Sequence, residues 1–276
     1  MGRPSSNAGG GGGLMPFVRA GGVKIYWEEH GSGDPLLLIM GLGASLEAWD
    51  RIAPTLATRY RTILFDNRGV GRSDVPPPPY SLETMADDAA AVLDAAGMKA
   101  AHVFGASMGG MIAQELALRH PSRVRRLILG CTSCGGREAV RAEPAVMAAL
   151  GARTSMPREA AMWAMAPYIY DASTPRERIV EDFTGRLSAN GSADGYAAQF
   201  QAVRAWTGTH ARLGGLTTPT LVIHGESDQL VPADNGRVIA RLIPGAKLVM
   251  LPRAGHIFLT DQNEAASAAI MSFLQE

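Results

Sequence analysis

Short apolar runs alternate along the chain with longer stretches in which apolar side chains recur at helical spacing. Most runs are nearly continuous in apolar residues, as strands buried on both faces of a parallel sheet are. The predicted strands are 23–28, 35–40, 61–65, 101–105, 124–129, 221–224 and 247–251. The predicted helices are 46–58, 82–96, 108–120, 233–242 and 263–274. This alternation predicts an α/β fold, with a mostly parallel sheet and helices on both faces.

The alternation breaks once, between residues 136 and 210. This segment has no buried-strand pattern, but Ala, Met, Trp and Tyr recur in it at helical spacing. Because compact domains do not carry irregular loops of this length, we predict a helical cap over 136–210, inserted into a core made of 15–135 and 211–276. Residues 1–14 include five consecutive glycines, and the high chain entropy of polyglycine predicts a disordered tail there.

The charge balance bears on the kinds of partner to expect. Lys plus Arg and Asp plus Glu number 26 each, so the formal net charge is zero. Nucleic acids and anionic membranes are bound by clustered positive surfaces, and we expect neither partner. No apolar stretch reaches the roughly 20 residues of a membrane span, and the N-terminal segment lacks the apolar stretch of a secretory signal. We therefore expect a cytoplasmic protein; the sequence makes no prediction of its oligomeric state.

A serine lies in the turn between the predicted strand 101–105 and the helix that follows it. The sequence Gly-Ala-Ser-Met-Gly, centred on Ser107, supplies the small neighbours that a tight, strained turn requires. Such a turn presents the hydroxyl at a helix N-terminus, where backbone N–H groups stabilise negative charge. The G-x-S-x-G pattern in this strand-turn-helix context predicts that Ser107 is a nucleophile.

A nucleophilic serine needs a base and an orienting carboxylate. Asp228 and His256 follow the last two predicted strands, and the carboxyl ends of parallel strands meet at one edge of a sheet. We expect Ser107, Asp228 and His256 to converge there as nucleophile, acid and base. Glu226 is the alternative acid, and His224 is expected to be structural.

Two backbone amides are the candidates for an oxyanion hole, which must donate to the charge that develops on the attacked carbonyl. Met108 directly follows the nucleophile, and Leu42 lies in a Gly-Leu-Gly loop after the predicted strand 35–40. Gly41 permits a close backbone approach and is expected to contact the substrate.

Aromatic side chains of the predicted cap are candidates for an apolar acyl pocket. These are Trp163, Tyr168, Phe200 and Trp206, accompanied by Met162 and Met165. The alternative is that they form the cap's own core. An apolar lid favours small, uncharged or weakly polar esters or lactones over highly charged substrates.

The two cysteines, Cys131 and Cys134, have C-x-x-C spacing. A redox pair requires a helix N-terminus in a thioredoxin-like setting, and a zinc site requires a second pair of ligands. The sequence favours two reduced thiols, and it predicts neither a metal site nor a cofactor.

Together these motifs resemble the α/β-hydrolase superfamily, over nearly everything after residue 15. The matching segments are 40–43 (MGLG), 66–73 (DNRGVGRS), 105–110 (GASMGG), 120–124 (HPSRV), 225–228 (GESD) and 255–256 (GH). Within the superfamily, the chain is similar to small bacterial esterases and lactonases related to 3-oxoadipate enol-lactonase. The resemblance implies a carboxylic ester hydrolase that works through an acyl-enzyme and a Ser-His-Asp triad. Met40 departs from the histidine that many relatives carry there.

Two alternatives remain at this point. A cofactor-free perhydrolase or haloperoxidase uses the same triad with peroxide as acceptor. A non-catalytic ligand receptor on this fold is disfavoured, because all three triad positions are filled. Dehalogenases and epoxide hydrolases carry an aspartate at the turn, and Ser107 argues against both.

Overall fold

A central sheet organises the computed structural model, which describes residues 17–188 and 191–276. Its eight strands are β1 (Phe17–Ala20), β2 (Val23–His30), β3 (Asp34–Ile39), β4 (Tyr60–Phe65), β5 (Ala101–Ala106), β6 (Val124–Gly130), β7 (Thr220–Gly225) and β8 (Lys247–Leu251). They are ordered β1-β2-β4-β3-β5-β6-β7-β8. Strands β3 to β8 are mutually parallel, and β1 and β2 form an antiparallel edge. The predicted tail over 1–14 lies outside the described residues.

Helices lie on both faces of this sheet, and others form the segment between β6 and β7. They are α1 (Ala53–Leu56), α2 (Leu82–Ala95), α3 (Met108–Arg119), α4 (Pro144–Ala152), α5 (Arg158–Ile169), α6 (Arg176–Ser188), α7 (Ala193–Ala205), α8 (His210–Leu213), α9 (Asp234–Leu242), α10 (Phe258–Asp261) and α11 (Asn263–Leu274). Helices α2, α3 and α9 pack on one face, and α1 and α11 pack on the other. The predicted α/β architecture is confirmed.

Strand β3 illustrates why the central strands are apolar throughout. Successive side chains of a strand point to opposite faces of the sheet. Leu37 and Ile39 accordingly belong to the core beneath α2 and α3, whereas Leu36 and Leu38 belong to the core beneath α1 and α11. All four side chains are fully buried, so a polar residue at any of these positions would face a hydrophobic core.

The structure corrects the predicted helix over 46–58. Two short pieces occupy this segment, a 3-10 turn over Leu46–Trp49 and helix α1. Pro54 lies in the first turn of α1, because proline has no N–H to donate and is tolerated there but not in a helix interior. At the start of the 3-10 turn, the amide of Leu46 donates to Oδ1 of Asp66 at 2.8 Å.

Strand β1 was not predicted from the sequence. It is only four residues long and pairs with β2 through a turn at Gly21 and Gly22, whose φ angles are +55° and +87°. Such a short strand at an exposed edge has no room for a hydrophobic pattern. Its contribution is to extend the antiparallel edge of the sheet.

Helices α4 to α7 lie between β6 and β7, in the interval predicted to form the cap. We call helices α4 to α7 the cap. Buried apolar side chains of α4, α5 and α6 form a separate cluster around Leu150, Met162, Met165 and Phe183, whereas Ala198 and Ala202 of α7 pack in the core beneath α2 and α3. This cluster also contacts Leu230 and Ile257 of the core, so the cap packs onto the loops that follow β7 and β8. Over residues 17–188 and 191–276, no helix combines the length and apolar character of a membrane span.

Candidate active site

Ser107 lies at the turn between β5 and α3, with a backbone φ of +57° and ψ of −125°. This region is costly for any residue with a side chain and persists where the surroundings enforce it. Two hydrogen bonds restrain the turn. The amide of Ser107 donates to Gly130 O at 2.9 Å, and Thr132 Oγ1 donates to Ser107 O at 2.7 Å.

The glycines around Ser107 are required by close packing. A Cβ added to Gly109 would overlap the carbonyl oxygen of Ile39, and one added to Gly110 would lie 2.6 Å from Cβ of Thr132. Helix α3 can therefore approach strand β3 and the segment that follows β6 only because these positions have no side chain. This approach keeps the turn sharp and exposes Ser107 to a cavity.

Asp228 and His256 meet beyond the ends of β7 and β8. Nδ1 of His256 lies 2.8 Å from Oδ2 of Asp228, while Oδ1 accepts hydrogen bonds from the amides of Leu230 and Val231 at 3.0 and 2.8 Å. With Asp228 ionised, Nδ1 carries the proton and Nε2 of His256 is the free basic nitrogen. The pair is arranged as an orienting acid and a base.

His224 is a second histidine on the same carboxylate. Its Nε2 lies 3.2 Å from Oδ2 of Asp228 and 2.8 Å from the carbonyl oxygen of Val231. The side chain is fully buried, with Nδ1 against Gly236. The sequence assigned His224 a structural role, and the structure places it in direct contact with the candidate acid.

The surroundings keep Asp228 ionised. Burial raises the pKa of this carboxyl, but the charge of His256 and the hydrogen bonds from His224 and His256 outweigh burial, so the pKa is lowered. Glu226, the alternative acid, has an exposed side chain. Of the two carboxyls, Asp228 is the one in contact with the candidate base.

The Gly41-Leu42-Gly43 loop packs directly against the nucleophile. A Cβ on Gly41 would lie 2.9 Å from Cβ of Ser107, so only glycine allows the loop this close. Met108 is the first residue of α3, where amides have no partner within the helix. Leu42 and Met108 line the same cavity as Ser107 and His256, and their amides are available candidates for an oxyanion hole.

A cavity of about 1150 Å³ lies between the core and the cap. Its core side includes Ser107, His256 and the predicted contact residue Gly41. The cap supplies largely apolar side chains, namely Met147, Leu150, Met162, Met165, Phe183 and Phe200. Of the four predicted aromatic residues, Phe200 therefore faces the cavity.

The other three predicted aromatic residues pack away from the cavity. Trp206 is buried against α3 and donates from Nε1 to Oε1 of Glu115 at 2.8 Å. Trp163 packs edge-on against Phe183, with ring centroids 4.9 Å apart, and Tyr168 packs in the cap's own cluster. Trp163 and Tyr168 therefore pack in the cap's own core, which was the alternative, whereas Trp206 packs with the core beneath α2 and α3.

The cavity wall is more polar than the sequence indicated. Arg141, Arg153, Arg158 and Arg204 of the cap line it. Burial and the nearby charge of Arg153 lower the pKa of Arg158. Arg51 of the core pairs with Glu181 and Asp182 of α6, at 2.8 and 2.9 Å. Charged groups thus accompany the apolar side chains expected of the lid.

Both cysteines are free and buried. Cys131 lines the cavity near Ser107, but burial and the negative charge of Asp228 raise the pKa of its thiol well above the ordinary range. A protonated thiol is a poor nucleophile, so Cys131 is a weaker candidate nucleophile than Ser107.

Comparison with known families decides the assignment of the fold. Residues 34–262 match the family model described as the α/β-hydrolase fold. The chain belongs to the α/β-hydrolase family.

Relatives of this α/β-hydrolase align over most of their length. The chain is 31% identical to a putative carbamate hydrolase, RutD, of Azorhizobium caulinodans, covering 95% of this chain and 99% of the relative. It is 33% identical to a poly(3-hydroxyalkanoate) depolymerase of Ectopseudomonas oleovorans, covering 88% and 84%. The crystal structure of the enol-lactonase from Burkholderia xenovorans LB400 has a TM-score of 0.83 at 27% identity, covering 95% and 100%.

In addition to the contact of His224 with Asp228, the sequence did not indicate a role for Gln199 in this α/β-hydrolase. Gln199 is a fully buried cap residue whose side chain contacts Gly43, next to Leu42. A glutamine on the apolar side of a cap helix was a signal, but its partner lies 156 positions away. Nothing local to Gln199 identifies the loop that it contacts.

Proposed function

We propose that this α/β-hydrolase transfers the acyl group of a small, largely apolar carboxylic ester or lactone to water. The observation that carries the proposal is the 2.8 Å contact between His256 and Asp228, on a cavity that also exposes Ser107. Base, acid and a strained serine around one cavity are the groups that acyl transfer needs.

In the first half-reaction, Nε2 of His256 takes the proton of the Ser107 hydroxyl while Oγ bonds to the carbonyl carbon. The carbonyl electron pair moves onto oxygen, where the amides of Leu42 and Met108 stabilise the charge. The intermediate collapses, His256 protonates the departing alkoxide, and an acyl-enzyme remains. Contacts between serine and histidine in such sites often tighten only when substrate binds.

In the second half-reaction, His256 takes a proton from water as the water oxygen bonds to the acyl carbon. Collapse of this intermediate breaks the bond to Ser107, whose oxygen takes the proton back from His256. Asp228 keeps His256 in the useful tautomer and stabilises its charged form. The lowered pKa of Asp228 supports this role, since only an ionised carboxylate can perform it.

The substrate class rests on the cavity and on the relatives. Met147, Met162 and Phe200 supply apolar surface for an acyl chain. An enol-lactonase and a poly(3-hydroxyalkanoate) depolymerase, as named, act on a lactone and a polyester. Lactones and polyesters share the carboxylic ester linkage, which supports an ester or lactone as substrate.

The test is a panel of p-nitrophenyl esters, an aliphatic lactone and an activated carbamate, measured with the wild type and with Ser107→Ala. We expect ester and lactone turnover that Ser107→Ala lowers by about 10⁶-fold. Ser155→Ala is the matched control, because Ser155 is exposed on the cap and donates to Ala152 O at 2.9 Å. Circular dichroism and thermal unfolding establish that each variant folds.

Three outcomes would overturn the proposal. The first is near wild-type ester turnover by folded Ser107→Ala. The second is a rate of carbamate turnover, or of peroxide-dependent halogenation, far above that of ester hydrolysis. The former would indicate a carbamate as the substrate, and the latter would indicate peroxide rather than water as the acyl acceptor. The third is a single burst of acylation without turnover, which would indicate a receptor.

A further inference from the structure

Cap helix α7 carries a polar side chain, Gln199, that is fully buried between two loops of the core. Its Oε1 accepts a hydrogen bond from the amide of Gly43 at 2.8 Å, and its Nε2 donates to Arg68 O at 2.7 Å. Both contacts are short; the one to Arg68 is buried, and the one to Gly43 is partly buried because Gly43 is half-exposed. Buried hydrogen bonds of this kind are costly to remove, because they leave unpaired polar groups behind.

The contact with Gly43 acts on the peptide group next to a candidate oxyanion-hole amide. The amide of Gly43 belongs to the planar unit that also contains the carbonyl of Leu42. On the other side of Leu42, Gly41 packs against Ser107, where a Cβ would lie 2.9 Å from Cβ of the serine. Restraint on both sides of Leu42 limits its backbone angles, and so the direction of its N–H.

Helix α7 is held close to these loops by small residues. A Cβ on Gly43 would lie 2.5 Å from the ring of Tyr196, and one on Gly195 would overlap the carbonyl of Gly69. Tyr196 and Gly195 precede Gln199 by about one helical turn, and therefore lie on the same face of α7. The packing gives Gln199 little freedom to choose other partners.

The loop that contains Arg68, the other partner of Gln199, is held in place by contacts of its own. Asp88 binds the guanidinium of Arg68 through two contacts of 2.6 and 2.7 Å, and both side chains are buried. Asn67 donates from Nδ2 to Met40 O at 2.8 Å. The oxyanion loop is therefore restrained at Met40 by Asn67 and at Gly43 by Gln199.

We propose that Gln199 is a positioning residue through which the cap sets the direction of the Leu42 N–H. Gln199 acts through Gly43, and it is Phe200, the next residue, that faces the cavity. This inference rests on the proposed function, since it concerns the oxyanion hole of that reaction. A donor aimed at a developing charge stabilises the transition state more than the bound substrate. Loss of Gln199 should therefore lower kcat and leave KM nearly unchanged.

The central variant is Gln199→Leu, which removes both hydrogen bonds with little change in volume. We expect kcat to fall roughly 10- to 100-fold, less than the roughly 10²- to 10³-fold loss that follows deletion of an oxyanion donor. Affinity for a tetrahedral mimic, a trifluoromethyl ketone, should fall by the same factor, and affinity for the product carboxylate should stay within about threefold. Gln199→Glu keeps an acceptor for Gly43 and should retain most of kcat.

Gln201→Leu is the matched control, since Gln201 is exposed on the same helix, and it should leave kcat unchanged. If Gln199→Leu does not fold, Gln199→Asn supplies the test, because its shorter side chain stays polar but cannot span both loops. Unchanged kcat in these variants, or equal losses for mimic and product, would overturn the inference. If either result is found while turnover still depends on Ser107, only the inference about Gln199 fails and the proposed function stands. If folded Ser107→Ala still turns over the ester, the proposed function and the inference both fail.

Discussion

Nδ1 of His256 lies 2.8 Å from Oδ2 of Asp228, at the ends of two adjacent parallel strands. Their 28-residue separation along the chain is closed by the pairing of β7 with β8. The carboxylate also accepts two backbone amides, from Leu230 and Val231. The carboxylate is therefore held in place before any substrate binds, where it can orient His256 in the proposed mechanism.

Asp228→Asn should lower kcat by about 10⁴-fold, because the amide stabilises the wrong tautomer of His256. Glu226→Gln tests the alternative acid two positions earlier and should leave kcat unchanged, since the Glu226 side chain is exposed. Steady-state kinetics on an activated ester measure both variants. A large loss in Glu226→Gln with activity retained in Asp228→Asn would assign the acid to Glu226.

The lowered pKa of Asp228 predicts a pH dependence of stability. In the unfolded chain this carboxyl titrates near its ordinary pKa of about 3.9, so the unfolded state binds more protons than the folded state between the two values. The stabilising contribution is fully present above about pH 4 and is lost as the pH falls through the lowered pKa.

Urea unfolding of the wild type and of Asp228→Asn over a pH series tests this dependence. The difference between their free energies of unfolding should shrink as the pH falls below about pH 4. A difference that grows on acidification would show that the pKa of Asp228 is raised rather than lowered.

Neighbouring aspartates on α2 should differ sharply in their effect on stability. Asp88 and Arg68 form a buried pair, in which burial raises the pKa of Asp88 despite the hydrogen bonds and charge of Arg68. Asp88→Asn should lower the free energy of unfolding by about 3–5 kcal/mol, because the Arg68 charge stays buried. Asp87 pairs with Arg119 and His120 at the surface, so Asp87→Asn should cost about 1 kcal/mol or less. Equal costs in chemical denaturation would contradict this account of Arg68.

Phe200 and Trp206 should separate acyl-chain preference from cap packing. Phe200→Ala should change the ratio of kcat/KM for hexanoyl over acetyl esters by about 10-fold, because Phe200 lines the cavity. Trp206→Phe loses the hydrogen bond to Glu115 and should lower stability by about 1–3 kcal/mol with the ratio unchanged. A changed ratio of kcat/KM for hexanoyl over acetyl esters in Trp206→Phe would indicate that Trp206 contacts the substrate.

The sequence predicted those parts of the molecule that depend on local pattern. Continuous apolar runs identified the central strands, and chain order placed Asp228 and His256 at the same edge of the sheet as Ser107. The predicted helix over 46–58 was wrong because Pro54 restricts where a helix can continue. For the strands and for Pro54, the deciding information lies within a few residues of the element.

Contacts between segments that are far apart in the chain could not be predicted from the sequence. Whether a cap aromatic residue faces the cavity depends on how α5 and α7 pack, and residue spacing does not specify this. Trp206 donates to Glu115, which lies 91 positions away, and Gln199 donates to Arg68, which lies 131 positions away. Such pairings follow from the docking of the cap on the core.

The most direct test of the account is the position of the acyl group during turnover. The wild type is mixed with a short-chain p-nitrophenyl ester, quenched at early times and analysed by intact mass and peptide mapping. We predict a mass increase equal to one acyl group, located at Ser107 and absent from folded Ser107→Ala. An acyl group on another residue, such as Cys131, or undiminished turnover by Ser107→Ala would contradict the account.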